Sequence, residues 1–521
     1  MKSIEEISIS EIIKEKNYWN SERPIEEELM YFLLVDRFHD GKSRDTILST
    51  KGFGNSEQLK ARCGGTIKGV TKQLEYISEM GFTSIWINPF LQNNFETYHG
   101  YGIENFLEVD DKWGSKEDIV ELVARAHALN MRIFFDVVLN HTGDNWSYKK
   151  HNPYYNKGMQ YATKSWRYSD KPIPTELRNF DCYNRKGRIK KWEERPETWD
   201  GDICELKDLI QDESKEGQRN LEIMIAIYSY WIALTDCDGF RIDAAKHIPP
   251  TWLNKFITAI KSLTASIHKN NFFIFVEVIA NETIIKQYPG IDGYLDFDFY
   301  FSTVGKLLNK KKGKIGFGET LLDALPVRFL DNHDQIGQMP KKRIGCELSE
   351  PVLINLLRIF LLMPGLPCIY YGTEQGLSGS GKNDGEIREC LFNTFGTDDL
   401  FNRNSNYFKT IKEFSDLRIK WSMFHGIVES CRMLDSNSSN CIVLQISGLS
   451  DSKLIVYNLG AYNELISVKL PRSISRTNKL VVYLYSDNAS FEVETQIKNN
   501  TVNDISIGPF GFIVLDLGLC V

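Results

Sequence analysis

Short apolar segments recur eight times between residues 29 and 372, and longer stretches with helical periodicity separate them. Near-continuous hydrophobicity over such short lengths is typical of parallel strands whose sheet is covered on both faces. Eight alternations of strand and helix predict a (β/α)8 barrel rather than an open sheet. The eight segments are LMYFLLV (29–35), TSIWIN (83–88), MRIFFDVVL (131–139), CDGFRID (237–243), NFFIFVEVI (271–279), GYLDFD (293–298), VRFLDN (327–332) and PCIYYG (367–372).

Two parts of the chain depart from this alternation. Residues 142–212 are polar, aromatic and rich in turn-forming residues, and they are too many for an unstructured loop, so they predict a small inserted domain. After about residue 419, short alternating strand patterns are typical of an antiparallel β-sandwich. The predicted order is an N-terminal extension (1–26), a first barrel part (27–141), an inserted domain (142–212), a second barrel part (213–418) and a C-terminal β-sandwich (419–521).

Composition and charge narrow the class of protein. Of the 521 residues, 42% are hydrophobic, and the formal net charge is −7. A mildly acidic chain favours no nucleic-acid partner, and no apolar stretch approaches the roughly 18 residues of a membrane span. The N-terminus lacks a secretory signal pattern, and the ten cysteines form no CxxC pair. We therefore expect reduced cysteines, a cytoplasmic location, and neither nucleic acid nor a membrane as a partner.

Acidic residues follow three of the predicted strands near the point where each strand ends. Asp243 closes the fourth segment, Glu277 lies near the end of the fifth, and Asp334 follows the seventh. In a barrel these strand ends meet at one face, where active sites are built. Such carboxylates can bind a metal, although no HxH or HExxH pair accompanies them. They also fit glycoside hydrolysis, which needs one ionised carboxylate and one protonated carboxyl group.

Four short motifs occur in the order that characterises a known enzyme family. The motifs are DVVLNH (136–141), GFRIDAAKH (239–247), EV (277–278) and FLDNHD (329–334). They resemble the signature segments of the α-amylase superfamily of glycoside hydrolases. Further resemblance lies in VDRFHDG (35–41), GGTIKGV (64–70), GFTSIWINP (81–89), YHGY (98–101) and PGLPCIYYGTEQG (364–376). The resemblance implies a (β/α)8 TIM barrel with an inserted B domain after the third strand and a C-terminal β-sandwich.

The resemblance implies a role for each carboxylate. Asp243 matches the family's nucleophile, Glu277 its general acid/base, and Asp334 its transition-state stabiliser. Arg241 lies two residues before Asp243, so on a strand both side chains point to the same side. The permanent charge of Arg241 would keep Asp243 ionised, as a nucleophile requires.

The resemblance also implies sugar-binding positions. Tyr101 would stack on the sugar in subsite −1, where His141 and His333 would form hydrogen bonds. Lys246 and His247 would line the acceptor subsites. The complete predicted substrate-binding set is His99, Tyr101, His141, Arg241, Lys246, His247, His333, Asp384 and Arg388, with Asp384 and Arg388 on the donor side.

A calcium ion is the one cofactor that the resemblance raises. Its ligands would be Asn140, Asp208 and the carbonyl oxygen of His247, all of them the hard oxygen donors that Ca²⁺ prefers. Lys207 places a cation beside this predicted site, which argues against an ion there. Whether calcium binds is therefore left open at this point.

Three functions are compatible with these residues. The leading hypothesis is a retaining hydrolase of α-1,4-glucosidic bonds in maltooligosaccharides or starch-like glucans. The second hypothesis is an α-glucan glycosyltransferase acting through the same covalent intermediate, and a hydrolase of another α-glucoside, such as a trehalose-capped or branched glucan, is a variant of the first. A carbohydrate-binding relative without catalysis is the third hypothesis, and the presence of all three carboxylates argues against it. The partner is then an α-glucan, and the oligomeric state is open.

Overall fold

The computed structural model describes most of the chain. The described residues are 1–14, 16–55, 57–94, 97–167, 171–280, 282–304, 324–334, 342–381, 384–420, 430–434, 436–438, 440–447, 452–458, 460–470, 480–486, 489–495, 497–498 and 501–516. The predicted start of the C-terminal part at residue 419 stays a prediction, because residues 421–429 lie outside the described residues, as do residues 517–521 at its end.

Eight parallel strands form a closed barrel, which confirms the predicted fold class. The strands are β1 (Met30–Leu33), β2 (Ser84–Ile87), β3 (Arg132–Val137), β4 (Gly239–Ile242), β5 (Phe273–Val276), β6 (Gly293–Leu295), β7 (Leu325–Phe329) and β8 (Leu366–Tyr370). Strands adjacent in sequence are adjacent in the barrel, and β8 closes it on β1 with Met30 in register with Cys368. Each of the eight apolar segments overlaps one barrel strand.

Aromatic side chains fill the barrel interior. Phe32 of β1 stacks on Trp86 of β2 with ring centroids 3.7 Å apart, and on Tyr370 of β8 at 5.4 Å. Trp86 also meets Phe275 of β5 at 5.7 Å, and because β2 and β5 are not neighbours, this contact crosses the interior. Side chains of the opposite faces are buried as well, which is why the strands appear in the sequence as continuous apolar segments.

Helices separate the strands along the chain. One of them spans Lys116–Ala128, and the Ser115 side chain caps it by accepting a hydrogen bond from the Asp118 N–H. The α-helices of four or more residues in the described part are Ile9–Lys14, Val35–Phe38, Ile67–Lys72, Leu74–Glu79, Lys116–Ala128, Glu197–Asp200, Lys215–Thr235, Pro250–Ser266, Glu282–Ile285, Ile344–Glu347, Glu350–Leu361 and Asn406–Lys420.

The segment between β3 and helix Lys215–Thr235 is built from short strands and aromatic contacts. Lys207–Asp208 pairs antiparallel with His141–Thr142, so the end of the segment returns to the rim of the barrel. The ring of Trp166 stacks on that of Phe180 at 4.5 Å. Other short strands of the described part outside the barrel and the C-terminal sheets are Asp45–Thr46, Leu91–Asn93, Ile103–Val109, Trp146–Tyr148, Thr163–Trp166 and Asp398–Asp399. The limits 142 and 212 of the inserted domain stay a prediction.

Antiparallel sheets follow the barrel. The six-stranded sheet has the spatial order Ser430–Leu434, Cys441–Ser447, Ser452–Asn458, Phe512–Asp516, Leu480–Ser486 and Ala489–Thr495, and the three-stranded sheet has the order Glu464–Lys469, Thr501–Ile507 and Ile497–Lys498. Phe512 packs on Phe414 of the last barrel helix with ring centroids 4.8 Å apart. This contact fixes the larger sheet against the barrel.

The N-terminal extension runs from the segment inserted after β3, where the Ile4 N–H donates to Glu176, to the barrel end at which the strands begin, where Trp19 lies. Trp19 stacks on His127 at 4.2 Å, and its backbone N–H donates to Asp236 over 2.9 Å. Lys269 donates to the Trp19 carbonyl and to Asp236, which shortly precedes β4. None of the helices in the part of the chain that the structure describes combines the length and the hydropathy that a membrane span requires.

The expectation that all cysteines are reduced is wrong for one pair. Cys63, in the loop after β1, and Cys390, beyond β8, form a disulfide bond between segments 327 residues apart. Cysteine spacing gave no sign of it, because only the closure of the barrel brings these two loops together. Cys182, Cys204, Cys237, Cys346, Cys368 and Cys441 are free. The cytoplasmic location stays a prediction.

Candidate active site

Two predicted catalytic carboxylates meet at one guanidinium group. Asp243 directly follows β4 and Glu277 directly follows β5, and both are buried. Arg241 Nη1 lies 2.9 Å from Asp243 Oδ1, and Arg241 Nη2 lies 2.9 Å from Glu277 Oε2. The backbone N–H of Ala244 donates to Glu277 Oε2 over 3.0 Å from a left-handed conformation with φ 47°. A strained residue thus links the two strand ends.

Arg241 is held in turn by a carboxylate of the barrel interior. It is in register with Asp136 of β3, and its Nη1 donates to Asp136 Oδ1 over 2.7 Å. The Trp86 indole donates to the other Asp136 oxygen over 3.1 Å, and the Tyr101 hydroxyl does so over 2.9 Å. With this support, Arg241 remains fully buried and fixed in one position.

Burial and neighbouring negative charge raise the pKa values of Asp243 and Asp136. Desolvation raises the pKa of Asp243 well above its usual range, Arg241 opposes this shift, and the charge of Glu277 adds to it. Desolvation likewise raises the pKa of Asp136 to about 6 against the opposing effect of Arg241. Crowded carboxylates around one cation retain a proton at a higher pH than isolated ones do. Arg241 counteracts the shift at both carboxylates, so its charge favours the ionised forms of Asp243 and Asp136.

Tyr101 and His333, predicted for subsite −1, stack on each other together with His99, and His141 contacts the Tyr101 backbone. The rings of His99 and Tyr101 stack at 5.8 Å, and those of Tyr101 and His333 stack at 5.5 Å. His141 Nε2 lies 3.1 Å from the Tyr101 carbonyl oxygen. Desolvation lowers the pKa of His99 to about 3 and that of His141 to about 4. Both imidazoles are therefore neutral at neutral pH, as suits hydrogen bonding to an uncharged sugar.

Asp334 forms an ion pair with Arg388. Arg388 Nη2 lies 2.8 Å from Asp334 Oδ1, and Arg388 Nε donates to the His333 carbonyl over 2.8 Å. Asp384 is more distant, 3.8 Å from the Arg388 guanidinium, with its side chain 45% exposed. The structure thus places Arg388 beside the predicted transition-state stabiliser. The sugar contacts expected for Asp384 and Arg388 stay predictions.

Lys246 and His247, predicted for the acceptor subsites, each contact a residue that the sequence analysis missed. Lys246 Nζ lies 2.6 Å from Glu193 Oε1, and the Trp192 ring lies edge-on to that of His247 at 5.6 Å. His247 is held by a hydrogen bond between its Nδ1 and the Thr198 carbonyl, 2.8 Å long. Trp192 is 42% exposed, unusual for so large an apolar side chain. The sequence signal that could have pointed to this turn was Trp192 between charged residues in KKWEERPETW (190–199).

The predicted calcium ligands also converge. Asn140 Nδ2 lies 3.0 Å from Asp208 Oδ1 and 3.2 Å from the His247 carbonyl oxygen, and Asn184 donates to the second Asp208 oxygen over 2.7 Å. Lys207 does not reach this group, since its Nζ pairs with Asp144 at 2.8 Å. Burial and neighbouring carboxylates raise the pKa of Asp208 well above its usual range.

Metal binding by the catalytic carboxylates has no geometric support. Across the described residues, no three His, Cys, Asp or Glu side chains are grouped so that they could hold a metal ion. The Asp208 group differs because its neighbours are two side-chain amides and a backbone carbonyl, with both amides presenting Nδ2 to Asp208. Rotation of each amide by half a turn would bring its oxygen to the same place, and this buried carboxylate has no ion pair to a cation within the described residues, so the group can supply the oxygen ligands of a hard cation.

A family model and individual relatives of known name point to the same protein family. A family model described as "Alpha amylase, catalytic domain" matches residues 32–406. The chain is 30% identical over 385 residues to an α-amylase of Streptomyces lividans, covering 63% of this chain and 42% of the relative. It is 26% identical over 546 residues to a cyclomaltodextrin glucanotransferase of Klebsiella oxytoca, covering 92% of this chain and 80% of that relative. The chain thus spans less than half the length of the Streptomyces relative.

Solved structures share the same fold over almost the whole chain. The α-amylase of Geobacillus thermoleovorans, solved with acarbose, superposes with a TM-score of 0.70 at 24% identity, covering 95% of this chain and 99% of that one. The three-domain cyclomaltodextrin glucanotransferase CldA gives a TM-score of 0.71 at 23% identity, covering 94% of this chain and 99% of that one. At these identities the likeness establishes the fold alone.

Proposed function

Because the chain belongs to the α-amylase family, whose model covers residues 32–406, we propose that it is a retaining α-glucan hydrolase. Its substrates are the α-1,4-glucosidic bonds of maltooligosaccharides or starch-like glucans. One observation carries this proposal: Asp243 and Glu277, on adjacent strands, each contact a different nitrogen of the Arg241 guanidinium. The two carboxylates thus lie on either side of one guanidinium group, where a nucleophile and a general acid can flank the same bond, and the retaining outcome is proposed from membership of the α-amylase family.

The reaction follows from the positions of these groups. Asp243 attacks the anomeric carbon, the glucosidic C–O bond breaks, and Glu277 gives its proton to the leaving oxygen. Water then attacks the same carbon, the ester bond to Asp243 breaks, and the water proton passes to Glu277. Asp334, held by Arg388, faces the positive charge that develops on the sugar. Arg241 stabilises the Asp243 carboxylate before and after the covalent step.

The test uses maltoheptaose as substrate and Asp243→Asn as the variant. We expect shorter maltooligosaccharides whose new reducing ends are α-configured by proton NMR at early times. Asp243→Asn removes the attacking oxygen charge and keeps the side-chain shape, so turnover should fall by at least about a thousandfold. Products with the β configuration, or a variant within tenfold of the wild type, would refute the assigned nucleophile.

Transfer to a sugar instead of water is the second candidate. The exposed Trp192 ring beside His247 favours it, because an aromatic face on the acceptor side offers a stacking surface for a second sugar. Maltooligosaccharides longer than maltoheptaose, appearing early in the same incubation, would establish transfer as the main reaction.

We also propose that Ca²⁺ binds at Asp208, with Asn140, Asn184 and the His247 carbonyl as further oxygen donors. The ion would neutralise a buried carboxylate and tie the segment after β3 to the barrel rim. Metal analysis after dialysis should find calcium in the wild type and none in Asp208→Asn. A chelator should lower the melting temperature of the wild type only. An equal effect of the chelator on both proteins would refute the site.

A further inference from the structure

An ion pair ties the acceptor-side lysine to the segment inserted after β3. Lys246 Nζ and Glu193 Oε1 are 2.6 Å apart, and the Lys246 side chain is 16% exposed whereas that of Glu193 is 80% exposed. Lys246 lies three residues after Asp243 in the loop behind β4. Its ammonium group is therefore close to the sugar-accepting side of the catalytic pair, and it already has a carboxylate partner there.

The backbone around Glu193 is anchored to the same loop. His247, the neighbour of Lys246, hydrogen-bonds the Thr198 carbonyl through Nδ1, and its ring contacts that of Trp192. Glu197 accepts hydrogen bonds from the backbone N–H groups of Lys190 and Lys191, which closes the segment on itself. Glu193 is thus presented to Lys246 by a defined turn.

The adjacent residue provides a contrast within the same turn. Glu194 pairs with Lys191 at 2.8 Å, three residues away, with both side chains more than half exposed. It carries the same charge as Glu193 on the same segment and contacts a lysine that is not part of the acceptor side. Any effect of charge alone is therefore shared by both glutamates, whereas an effect through Lys246 belongs to Glu193.

We propose that Glu193 is a positioning residue that withholds Lys246 from acceptor sugars and so directs the covalent intermediate towards water. This inference rests on the proposed function. A charged carboxylate accepts a hydrogen bond from an ammonium group more strongly than a neutral hydroxyl does. An acceptor sugar that uses Lys246 must therefore displace Glu193 or share the ammonium with it. Water, which needs no contact with Lys246, is unaffected.

The proposed effect concerns the second half of the reaction, in which the covalent intermediate is resolved. The O–H of water or of a sugar attacks the anomeric carbon, the ester bond to Asp243 breaks, and the proton passes to Glu277. The ratio of transfer product to hydrolysis product measures how the two nucleophiles compete. Exposed ion pairs are weak, so their removal corresponds to a change in this ratio of about two- to fivefold.

The experiment uses α-maltosyl fluoride as donor and maltose as acceptor. Loss of fluoride forms the Asp243 ester without an acceptor-side sugar, so the added maltose acts only in the second half-reaction. Chromatography gives the transfer-to-hydrolysis ratio as maltose concentration rises. Glu193→Gln should raise the ratio about two- to fivefold, whereas the control Glu194→Gln should leave it at the wild-type value.

Two further measurements separate an effect through Lys246 from a general disturbance of the turn. In a Lys246→Ala background, Glu193→Gln should no longer change the ratio, because the partner is absent. Raising the ionic strength from about 0.01 M to about 1 M shortens the screening length from about 30 Å to about 3 Å. The wild-type ratio should therefore rise with salt, and the ratio for Glu193→Gln should not.

The outcomes distinguish this inference from the proposed function. A wild type that releases hydrolysis products from maltooligosaccharides, combined with an unchanged or lowered ratio in Glu193→Gln, overturns the inference and leaves the proposed function intact. Equal increases in Glu193→Gln and Glu194→Gln also overturn it, since they indicate a charge effect without Lys246. A wild type that acts on no α-glucan overturns both together.

Discussion

Glu374 is a fully buried carboxyl group with no ion-pair partner in the part of the chain that the structure describes. It follows β8, and its Oε1 accepts hydrogen bonds from the hydroxyls of Tyr31, 2.9 Å away, and Tyr76, 3.4 Å away. Its Oε2 has no hydrogen-bond partner among the described residues, which is the position for a proton. Desolvation raises the pKa of Glu374 to about 7. We predict that Glu374→Gln stabilises the protein at alkaline pH.

The raised pKa of Glu374 determines how the stability of the fold changes with pH. A pKa raised from 4.5 to about 7 means that protonated Glu374 stabilises the fold. This contribution is complete below the unfolded pKa and is lost as the pH rises towards about 7. At about 1.4 kcal/mol per pKa unit, the loss is about 3 kcal/mol. Glutamine stays neutral throughout. The free energy of unfolding of the variant, relative to that of the wild type, should therefore be about 3 kcal/mol higher at pH about 8.5 than at pH about 4.5.

Urea unfolding of both proteins at these two pH values measures the difference directly. Glu389→Gln provides a contrast, because Glu389 is buried beside Arg343 at 2.9 Å. Its loss leaves a buried guanidinium unpaired and should destabilise the fold at pH about 8.5 by about 3–5 kcal/mol, whereas Glu374→Gln should be more stable than the wild type there. If Glu374→Gln and the wild type show the same pH dependence, Glu374 does not carry a raised pKa and the reasoning fails.

Three further predictions concern the rim, the base and the loops of the barrel. Arg388→Lys should lower kcat at least about tenfold with little change in melting temperature, because a lysine cannot hold both Asp334 and the neighbouring carbonyl; an unchanged kcat would contradict this. Trp19→Ala should destabilise the fold by about 1 kcal/mol or more in urea unfolding, since a stacked ring is lost. Peptide mapping without reductant should recover a peptide pair linked through Cys63 and Cys390, and two separately alkylated peptides would refute the bond.

The barrel was predictable because its physical requirement leaves a mark on the sequence. A strand buried on both faces must be apolar throughout, so each barrel strand appeared as a short apolar segment. The rim was predictable for a related reason, since polar residues at strand ends have few roles other than capping or chemistry. Asp243 and Glu277 follow β4 and β5 directly, and the structure places them on one guanidinium.

The inserted segment was not predictable in the same detail. Glu193 reaches Lys246, and Trp192 reaches His247, across about fifty residues of sequence. No periodicity fixes such a turn, because its conformation depends on contacts with the barrel itself. The disulfide was missed for the same reason, as its two loops meet only after β8 has joined β1.

The pairing of the last strand with the first also governs how the chain must be made. β1 pairs with β2, which follows it closely in the sequence, whereas the partner of its other edge, β8, lies about 340 residues further along the chain. At roughly 5–20 residues per second, a ribosome needs about 20–70 s to supply that partner. During this interval β1 exposes unpaired N–H and C=O groups on an apolar strand, which other nascent chains can join. We therefore expect holding chaperones or slower initiation to increase the soluble yield of this protein more than added thermodynamic stability would.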